Sequence, residues 1–185
     1  APVYDNEGKE IQKKLCPLCR TPNPTTGEEE IKRNKKRVKI NDAIAMNELG
    51  CYYSTGLYDM PQAYKKALEL WHRSGELGNA EAYYNIGSAY ISGNGVEKDE
   101  KKANHYYEKA AIGGDPYARY NLGNAELRTG NMDRALKHYT IAAGFGYTRS
   151  LEVIKLMFVN GDATKEDYAK ALRVFQTNLV EIKSP

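Results

Sequence analysis

Hydrophobic positions between residues 42 and 182 recur with the spacing of short amphipathic helices. On the helix predicted at 79–92, Ala82, Ile86 and Tyr90 are four residues apart and therefore share one face. The turn signal Gly93-Asn94-Gly95 follows that helix, and a second helical pattern begins after it. Helices are predicted at about 26–40, 42–54, 61–77, 79–92, 99–113, 115–128, 131–144, 147–160 and 164–182.

The helical pattern itself repeats about every 36 residues, and small and aromatic residues return at fixed places. A glycine preceded by Leu or Ile occurs at Gly50, Gly87 and Gly123. An aromatic residue returns at Trp71, Tyr107, Tyr139 and Phe175. This periodicity predicts an all-α fold, an α-solenoid of antiparallel helix pairs behind a lead-in helix. The repeat domain, 41–185, divides into units of about 42–78, 79–114, 115–146 and 147–182.

The repeated small and aromatic residues predict how each helix pair packs. Gly87, the residue after Ile86, has no side chain with which a closely packed neighbouring helix would clash. An aromatic ring then fills the space beside the closely spaced helices, so Trp71, Tyr107 and Tyr139 are expected to be mostly buried. A single unit has too little surface to bury its own faces, and stacking of the units supplies the core.

The basic excess of the chain lies ahead of the repeats. Residues 1–40 hold 10 Lys or Arg and 6 Asp or Glu, whereas the remainder holds 17 and 18. Six of the eight residues in Lys32–Lys39 are basic. We expect them to form the solvated face of a lead-in helix, 26–40, that covers the end of the repeat stack. The alternative is a nuclear-localisation, nucleic-acid or anionic-surface patch.

Residues 1–25 are predicted to be a loop that contains Cys16 and Cys19. A Cys-x-x-Cys turn brings two sulfurs close enough to share one tetrahedral zinc ion, but two thiolates are half a site. The alternative to a zinc-binding role is a surface turn that contains two thiols without a function in metal binding. Three cysteines do not build a disulfide framework, which favours a reducing, intracellular compartment, cytoplasmic or nuclear. No apolar run of 18 residues occurs, so no membrane-spanning segment is predicted.

The segment Asn79–Gly114, with the pattern A-x-A-Y-Y-N-I-G-x-A-Y and Ala110-Ala111-x-x-Gly114, resembles a Sel-one-like repeat, a relative of the tetratricopeptide repeat. The resemblance runs from about Asn41 to Phe175 and departs from the pattern in the fourth unit, where Lys155 replaces the glycine. It implies a right-handed superhelix with a concave face, and a scaffold that holds other proteins.

The string Cys-Pro-Leu-Cys-Arg followed by Thr21-Pro22 resembles the last zinc-binding pair of a RING finger. The chain begins with Ala, so we expect it to lie inside a longer protein that supplies the earlier zinc ligands. A RING finger joined to such repeats implies a ubiquitin-protein ligase, in which the RING recruits a ubiquitin-conjugating enzyme and the repeats hold the substrate. The chain itself shows no catalytic site and no cofactor site, and Cys16 and Cys19 would bind zinc only with ligands from outside it.

The residue three positions before each repeated glycine and the residue just after it are expected to face away from the stack. Asn85 and Asn121 are expected at the edge of the same face, and Arg128 one turn later. In tetratricopeptide repeats such positions bind extended peptides, and the resemblance implies the same role for them in this chain. The predicted partner-binding residues are Asn47, Tyr84, Asn85, Ser88, Tyr120, Asn121, Asn124 and Arg128. Nucleic acid is not an expected partner of this neutral surface. The alternative is that the tyrosines only cover the helix pairs.

Overall fold

A computed structural model describes residues 26–183 of the chain, and describes side chains as far as residue 177. Cys16 and Cys19 therefore lie outside the described residues. Within them the chain forms nine α-helices and no strand, each helix within a few residues of its predicted place. The helices are α1 (Gly27–Lys39), α2 (Ala43–Thr55), α3 (Tyr64–Glu76), α4 (Ala80–Ser92), α5 (Glu100–Ile112), α6 (Pro116–Arg128), α7 (Met132–Gly144), α8 (Thr148–Asn160) and α9 (Lys165–Lys183).

Most first helices of the repeats begin at an Asx residue that caps the backbone. The side chains of Asp42, Asn79 and Asp115 accept hydrogen bonds from the backbone N–H of the residue three positions later, which is alanine in each case. An N-cap of this kind satisfies a donor that the helix leaves unpaired. The fourth first helix, α8, begins at Tyr147 without a side-chain cap.

The chain divides into two compact units; the first ends at Leu77 and the second begins at Gly78. In the first unit, α2 packs against both α3 and α1. Met46, Leu49 and Leu70 form its core, and Ile31 and Val38 of α1 pack against them. Ile31 and Val38 are seven residues apart and therefore share the face of α1 that packs on α2.

Two residues within the basic run of α1, Asn34 and Arg37, are buried, although the run was predicted to be a solvated face. Arg37 is 8% exposed and Asn34 is fully buried. Arg37 Nε donates to Asp42 Oδ2 at 2.7 Å, and Arg37 Nη1 donates to Asn34 Oδ1 at 3.3 Å. The four lysines of the run are exposed. One of the six basic residues is thus a structural ion-pair partner of the α2 N-cap.

In the second unit, α4 pairs with α5 and α6 pairs with α7, while α5 packs on α6 and α7 packs on α8 and α9. The expected burial of the aromatic column is confirmed, with Trp71 5%, Tyr107 4% and Tyr139 0% exposed. Phe175, in the closing pair, is only half-buried. The fold class is therefore an all-α repeat of stacked helix pairs, as predicted; the right-handed superhelix stays a prediction.

Each repeated glycine lies beneath the aromatic ring of the partner helix in its own pair. A Cβ atom at Gly87 would lie 2.7 Å from the ring of Tyr107, and one at Gly123 would lie 2.7 Å from the ring of Tyr139. In the first unit, a Cβ at Gly50 would lie 2.6 Å from Trp71 Nε1. The glycine column therefore provides the space that the aromatic column fills, as the sequence predicted.

Candidate functional site

The predicted partner-binding residues divide between the two units. Asn47 belongs to the first unit and is 4% exposed. Its backbone oxygen accepts a hydrogen bond from Trp71 Nε1 at 3.3 Å. The expectation that Asn47 faces away from the stack is wrong, because the residue is buried where α2 contacts Trp71 of α3. The remaining seven residues lie on α4 and α6, and we call them the candidate face: Tyr84, Asn85, Ser88, Tyr120, Asn121, Asn124 and Arg128.

The residue that follows each glycine in the second unit binds the hydroxyl group of the aromatic column. Ser88 Oγ lies 3.3 Å from the Tyr107 hydroxyl oxygen, and the Tyr139 hydroxyl donates to Asn124 Oδ1 at 2.7 Å. Burying a hydroxyl without a partner would cost free energy, so these bonds let two tyrosines occupy the core with their polar ends at the candidate face. Ser88 and Asn124 therefore have a structural role as well as a predicted binding role.

Six tyrosine rings of the second unit form a continuous series of ring contacts, which we call the tyrosine ribbon: Tyr107, Tyr84, Tyr117, Tyr147, Tyr120 and Tyr139. Successive ring centroids in this order are 5.8, 5.7, 5.0, 5.1 and 5.6 Å apart. Two of these contacts are edge-to-face, a favoured aromatic geometry, and the other three are tilted. The ribbon joins the predicted rings of Tyr84 and Tyr120 through two others.

Tyr117 and Tyr147 were missed as site residues by the sequence analysis. Tyr117 is 50% exposed and lies one turn before Tyr120 on α6, whereas Tyr147 is the N-cap residue of α8. The signal for Tyr117 was its position three residues before a predicted site residue, on the same helix face. Nothing local marked Tyr147, because its contact with Tyr120 depends on how α8 packs.

Burial raises the pKa values of three phenols of the ribbon, which keeps them protonated over a wide pH range. Burial raises the pKa of Tyr139 to about 12, and the neighbouring Tyr120 acts in the same direction. Burial also raises the pKa values of Tyr84 and Tyr107 above the usual value. A protonated phenol can both donate and accept a hydrogen bond. Near neutral pH these three phenols therefore carry hydroxyl groups rather than charge, and of the three Tyr84 reaches the surface.

Arg128 is the one charged residue of the candidate face. Its side chain is 57% exposed, and its guanidinium lies 3.9 Å from Glu100 Oε2. Its charge acts to lower the pKa values of Tyr107 and Tyr139, the two buried members at the ends of the ribbon. Asn121 hydrogen bonds with Tyr107, and Asn85 is half-buried. The face thus combines rings, amides and a single cation, which can bind a protein segment but carry out no evident reaction.

A second aromatic patch on α4 and α5 has a different character, and we call it the lysine-covered patch: Tyr83, Tyr90 and Tyr106, with Lys102 and Lys109. Tyr106 stacks on Tyr83 at 6.2 Å and on Tyr90 at 5.7 Å between centroids. The ammonium of Lys109 lies 5.3 Å from the Tyr83 ring centroid, and that of Lys102 lies 5.6 Å from the Tyr90 centroid. These rings already have cationic partners from their own chain.

The described residues bring no other chemical site together. Among them, no group of three His, Cys, Asp or Glu side chains is placed to hold a metal ion. In that same part of the chain, no helix combines the length and the apolar character needed to cross a bilayer. The role predicted for Lys32–Lys39 in binding nucleic acid or anionic surfaces stays a prediction, and the zinc role of Cys16 and Cys19 falls outside the described residues.

The model of the family described as "Sel1 repeat" matches residues 43–79, 80–115 and 116–144, together more than half of the chain. The chain is similar to "ERAD-associated E3 ubiquitin-protein ligase component HRD3B" of Arabidopsis thaliana, with 32% identity over 100 residues, 54% of this chain and 15% of the relative. It is similar to "Chitin synthase regulatory factor 4" of Schizosaccharomyces pombe, with 25% identity over 69% of this chain and 20% of that protein. The chain therefore spans a fifth or less of these relatives.

Among solved structures, the chain is similar to a Sel1 repeat protein from Oxalobacter formigenes. The sequences are 30% identical, the alignment covers 83% of this chain and 64% of the other, and the TM-score is 0.71. The likeness in fold therefore extends beyond the three segments matched by the family model.

Proposed function

The chain belongs to the Sel1 repeat family, whose members act as protein-interaction scaffolds, and we propose that it holds a protein partner against the candidate face on α4 and α6. The observation that carries this proposal is the tyrosine ribbon, which reaches the surface through Tyr84, Tyr117 and Tyr120 beside the amides of α6. Tyrosine supplies contact area with few rotatable bonds and a polar tip, and it is enriched at binding hot spots.

The candidate face differs from the other surfaces of the second unit in ways that favour binding. In the lysine-covered patch, Lys102 and Lys109 already make cation–π contacts with the tyrosine rings. The exposed rings of the ribbon instead contact one another, and Tyr117 is half exposed. Charged residues are depleted at the centre of protein interfaces, and Arg128 is the only charged member of the candidate face.

The test is a pull-down that compares the wild type with a Tyr84→Ala, Tyr120→Ala, Asn121→Ala triple variant, with folding checked by thermal melting. The matched control is a Tyr83→Ala, Tyr90→Ala double variant, which removes rings from the lysine-covered patch on the same helix. We expect the triple variant to lose partners that the control retains. A folded triple variant that keeps every partner would place the binding site elsewhere.

Because Tyr120 contacts the core residue Tyr139, the triple variant could lose stability as well as its surface. A second variant, Asn121→Ala with Arg128→Ala, removes polar groups of the face and leaves all six rings in place. Asn121 also hydrogen bonds with Tyr107, so the folding of this variant is checked by thermal melting as well. Loss of the same partners from the folded variant supports the proposal with every ring in place, and full retention by both variants contradicts it.

A second candidate function is the substrate-binding part of a RING-type ubiquitin ligase. It is favoured by the similarity to a relative named as an E3 ubiquitin-protein ligase component, together with the Cys-x-x-Cys at Cys16 and Cys19. The test is ubiquitin transfer in a reconstituted reaction with a ubiquitin-conjugating enzyme, using the full-length protein and its Cys16→Ser, Cys19→Ser variant. Equal transfer by the two proteins would exclude a role for this cysteine pair.

A further inference from the structure

A groove lies between α7 and α9 of the second unit, where the fourth repeat departs from the pattern of the others. Lys155 replaces the repeated glycine and Phe175 is only half-buried, so the ring-over-glycine contact of the earlier pairs does not form between α8 and α9. Helix α9 packs against α7 as well as against α8. A Cβ atom at Gly144 would lie 2.7 Å from Val174 Cγ1, so this glycine lets the two helices touch near the end of α7.

The groove has a volume of about 650 Å³, and α7 and α9 line it with the same order of side chains. On each helix an aspartate, a lysine and an apolar residue follow one another at intervals of three or four positions: Asp133, Lys137 and Ile141 on α7, and Asp167, Lys170 and Val174 on α9. Residues at these intervals share one face of a helix. Each wall of the groove is therefore acidic, then basic, then apolar.

The two series run in the same direction along the groove. Both aspartates lie in the first turn of their helix. Val174, the last member on α9, lies beside Gly144 at the end of α7. The groove therefore has one acidic end and one apolar end, with the lysines between them.

Three charged side chains of the groove are available to a partner. Asp133, Lys137 and Lys170 are exposed, and none of them forms a salt bridge with another residue in the described part of the chain. Asp167 accepts hydrogen bonds from the backbone N–H and the hydroxyl of Thr164, both at Oδ2. Exposed charges of this kind contribute more to the orientation and choice of a partner than to affinity.

The apolar end of the groove is exposed as well. Ile141 and Val174 are 39% and 38% exposed. Leu136, which also lines the groove, packs against the core of the second unit. Removal of apolar side chains from water is the main favourable contribution to protein association, so this end can supply affinity.

A helix fits this groove better than an extended segment does. The backbone of both walls is already hydrogen-bonded within α7 and α9, so an extended segment would find no backbone partners there, whereas a helix satisfies its own backbone. Side chains four residues apart on a helix are separated by about 6 Å along its axis, which is the spacing of the series on α7.

We propose that the groove binds an amphipathic helix of a partner protein. The helix runs against α7 and α9, which opposes its dipole to theirs, and it carries an apolar, an acidic and a basic residue at four-residue intervals. Its basic residue meets the aspartates and its acidic residue meets the lysines. This surface is separate from the candidate face, so the inference goes beyond the proposed function.

The experiment titrates the whole 185-residue chain with two peptides of equal composition, using calorimetry and NMR chemical shifts. The complementary peptide is acetyl-(Gln-Ala-Ala-Leu)2-Gln-Ala-Ala-Glu-Gln-Ala-Ala-Arg-amide. The exchanged peptide has its Glu and Arg interchanged, and circular dichroism measures the helicity of both. We expect the complementary peptide to bind with a Kd below about 1 mM and the exchanged peptide to bind at least about threefold more weakly.

Three variants locate the binding, with folding checked by thermal melting. Asp133→Lys with Lys137→Asp interchanges the charges of one wall and is expected to abolish the preference between the peptides, which cannot then come from their helicity. Glu97→Lys with Lys98→Glu makes a matched interchange at exposed positions between α4 and α5, and should leave the preference unchanged. Ile141→Ser should weaken both peptides by at least about threefold.

Absence of binding, equal binding of the two peptides by the wild type, or a preference that survives the interchange on α7 would overturn the inference. Unchanged affinity in Ile141→Ser would overturn it too. Sedimentation equilibrium tests the other occupant: a wild-type dimer that Ile141→Ser dissociates would show that a second copy of the chain covers the groove. None of these outcomes bears on the candidate face, because its triple variant leaves α7 and α9 unchanged.

Discussion

At the scale of single residues, the repeated glycines are explained by the rings above them. A glycine inside a helix costs about 0.8–1 kcal/mol relative to alanine, so its presence in α4 needs a compensating gain. That gain is the close approach of Tyr107, whose ring lies 2.7 Å from the point where a Cβ at Gly87 would be. The Ser88 hydroxyl then binds the Tyr107 hydroxyl, so two adjacent residues of α4 accommodate one ring.

The variant Gly87→Ala is therefore expected to destabilise the protein, although alanine is the better helix former. The added Cβ would lie 2.7 Å from the Tyr107 ring, and overpacking of this kind costs about 1–3 kcal/mol. The measurement is the free energy of unfolding in urea. In a Tyr107→Ala background, which by itself should cost about 3–5 kcal/mol, the same change should cost less, because only the Ala103 backbone oxygen, 3.1 Å from the added Cβ, still crowds it. A more stable Gly87→Ala protein in the wild-type background would show that the ring contact is wrong.

His138 makes stability depend on pH. Burial lowers the pKa of His138 below its usual value, the Arg119 charge acts in the same direction, and its Nδ1 has no hydrogen-bond partner among the described residues. The unfolded chain therefore binds a proton more readily than the folded one, and stability falls as the pH drops below about 6.5. We expect wild-type stability to decline from pH 7 to pH 5 more steeply than that of His138→Gln. Parallel declines in urea unfolding would contradict this assignment.

At the scale of elements, the lead-in helix α1 is fixed by an ion pair rather than by apolar contact alone. The side chains of Arg37 and Asp42 are 10% and 9% exposed, and Glu48 Oε2 lies 3.5 Å from Arg37 Nη1. Asp42 is also the N-cap residue of α2. The pair therefore couples the last turn of α1 to the first turn of α2.

Arg37→Met should destabilise the first unit by about 3–5 kcal/mol, because it leaves the Asp42 carboxylate buried without its cation. The control is Lys36→Met, an exposed neighbour of the same run, whose effect should stay within about 0.5 kcal/mol. Trp71 is the single tryptophan of the chain and is buried in the first unit, so its fluorescence during denaturant unfolding reports the change. Equal effects of the two substitutions would contradict a structural role for Arg37.

Local sequence signals were sufficient to predict the helices but only part of the candidate face. The helix ends follow from turn glycines and periodic apolar residues, which act within a few positions along the chain. The burial of Asn47 and Arg37, and the contact of Tyr147 with Tyr120, depend on which neighbouring helix covers each residue. Helix spacing alone does not contain that information, because a side chain at the edge of a face can lie under a neighbouring ring or in solvent.

At the scale of the whole molecule, the chain is expected not to bind zinc tightly by itself. Cys16 and Cys19 supply two thiolates, whereas a structural zinc site needs four ligands. The measurement is the zinc content of the purified 185-residue chain after dialysis against a mild chelator. Stoichiometric zinc would contradict the expectation, unless Cys16→Ser abolishes it together with dimerisation, which would show two chains sharing one ion.

The central claim is that a protein partner lies against the candidate face, and site-specific crosslinking tests it most directly. The photoreactive residue p-benzoylphenylalanine replaces Tyr117 of the tyrosine ribbon in one variant and Tyr90 of the lysine-covered patch in another. Both substitutions keep an aromatic ring, so the two proteins differ mainly in where the probe is placed. The account predicts that a co-purifying partner crosslinks through position 117 and not through position 90. Crosslinking through position 90 alone would contradict it.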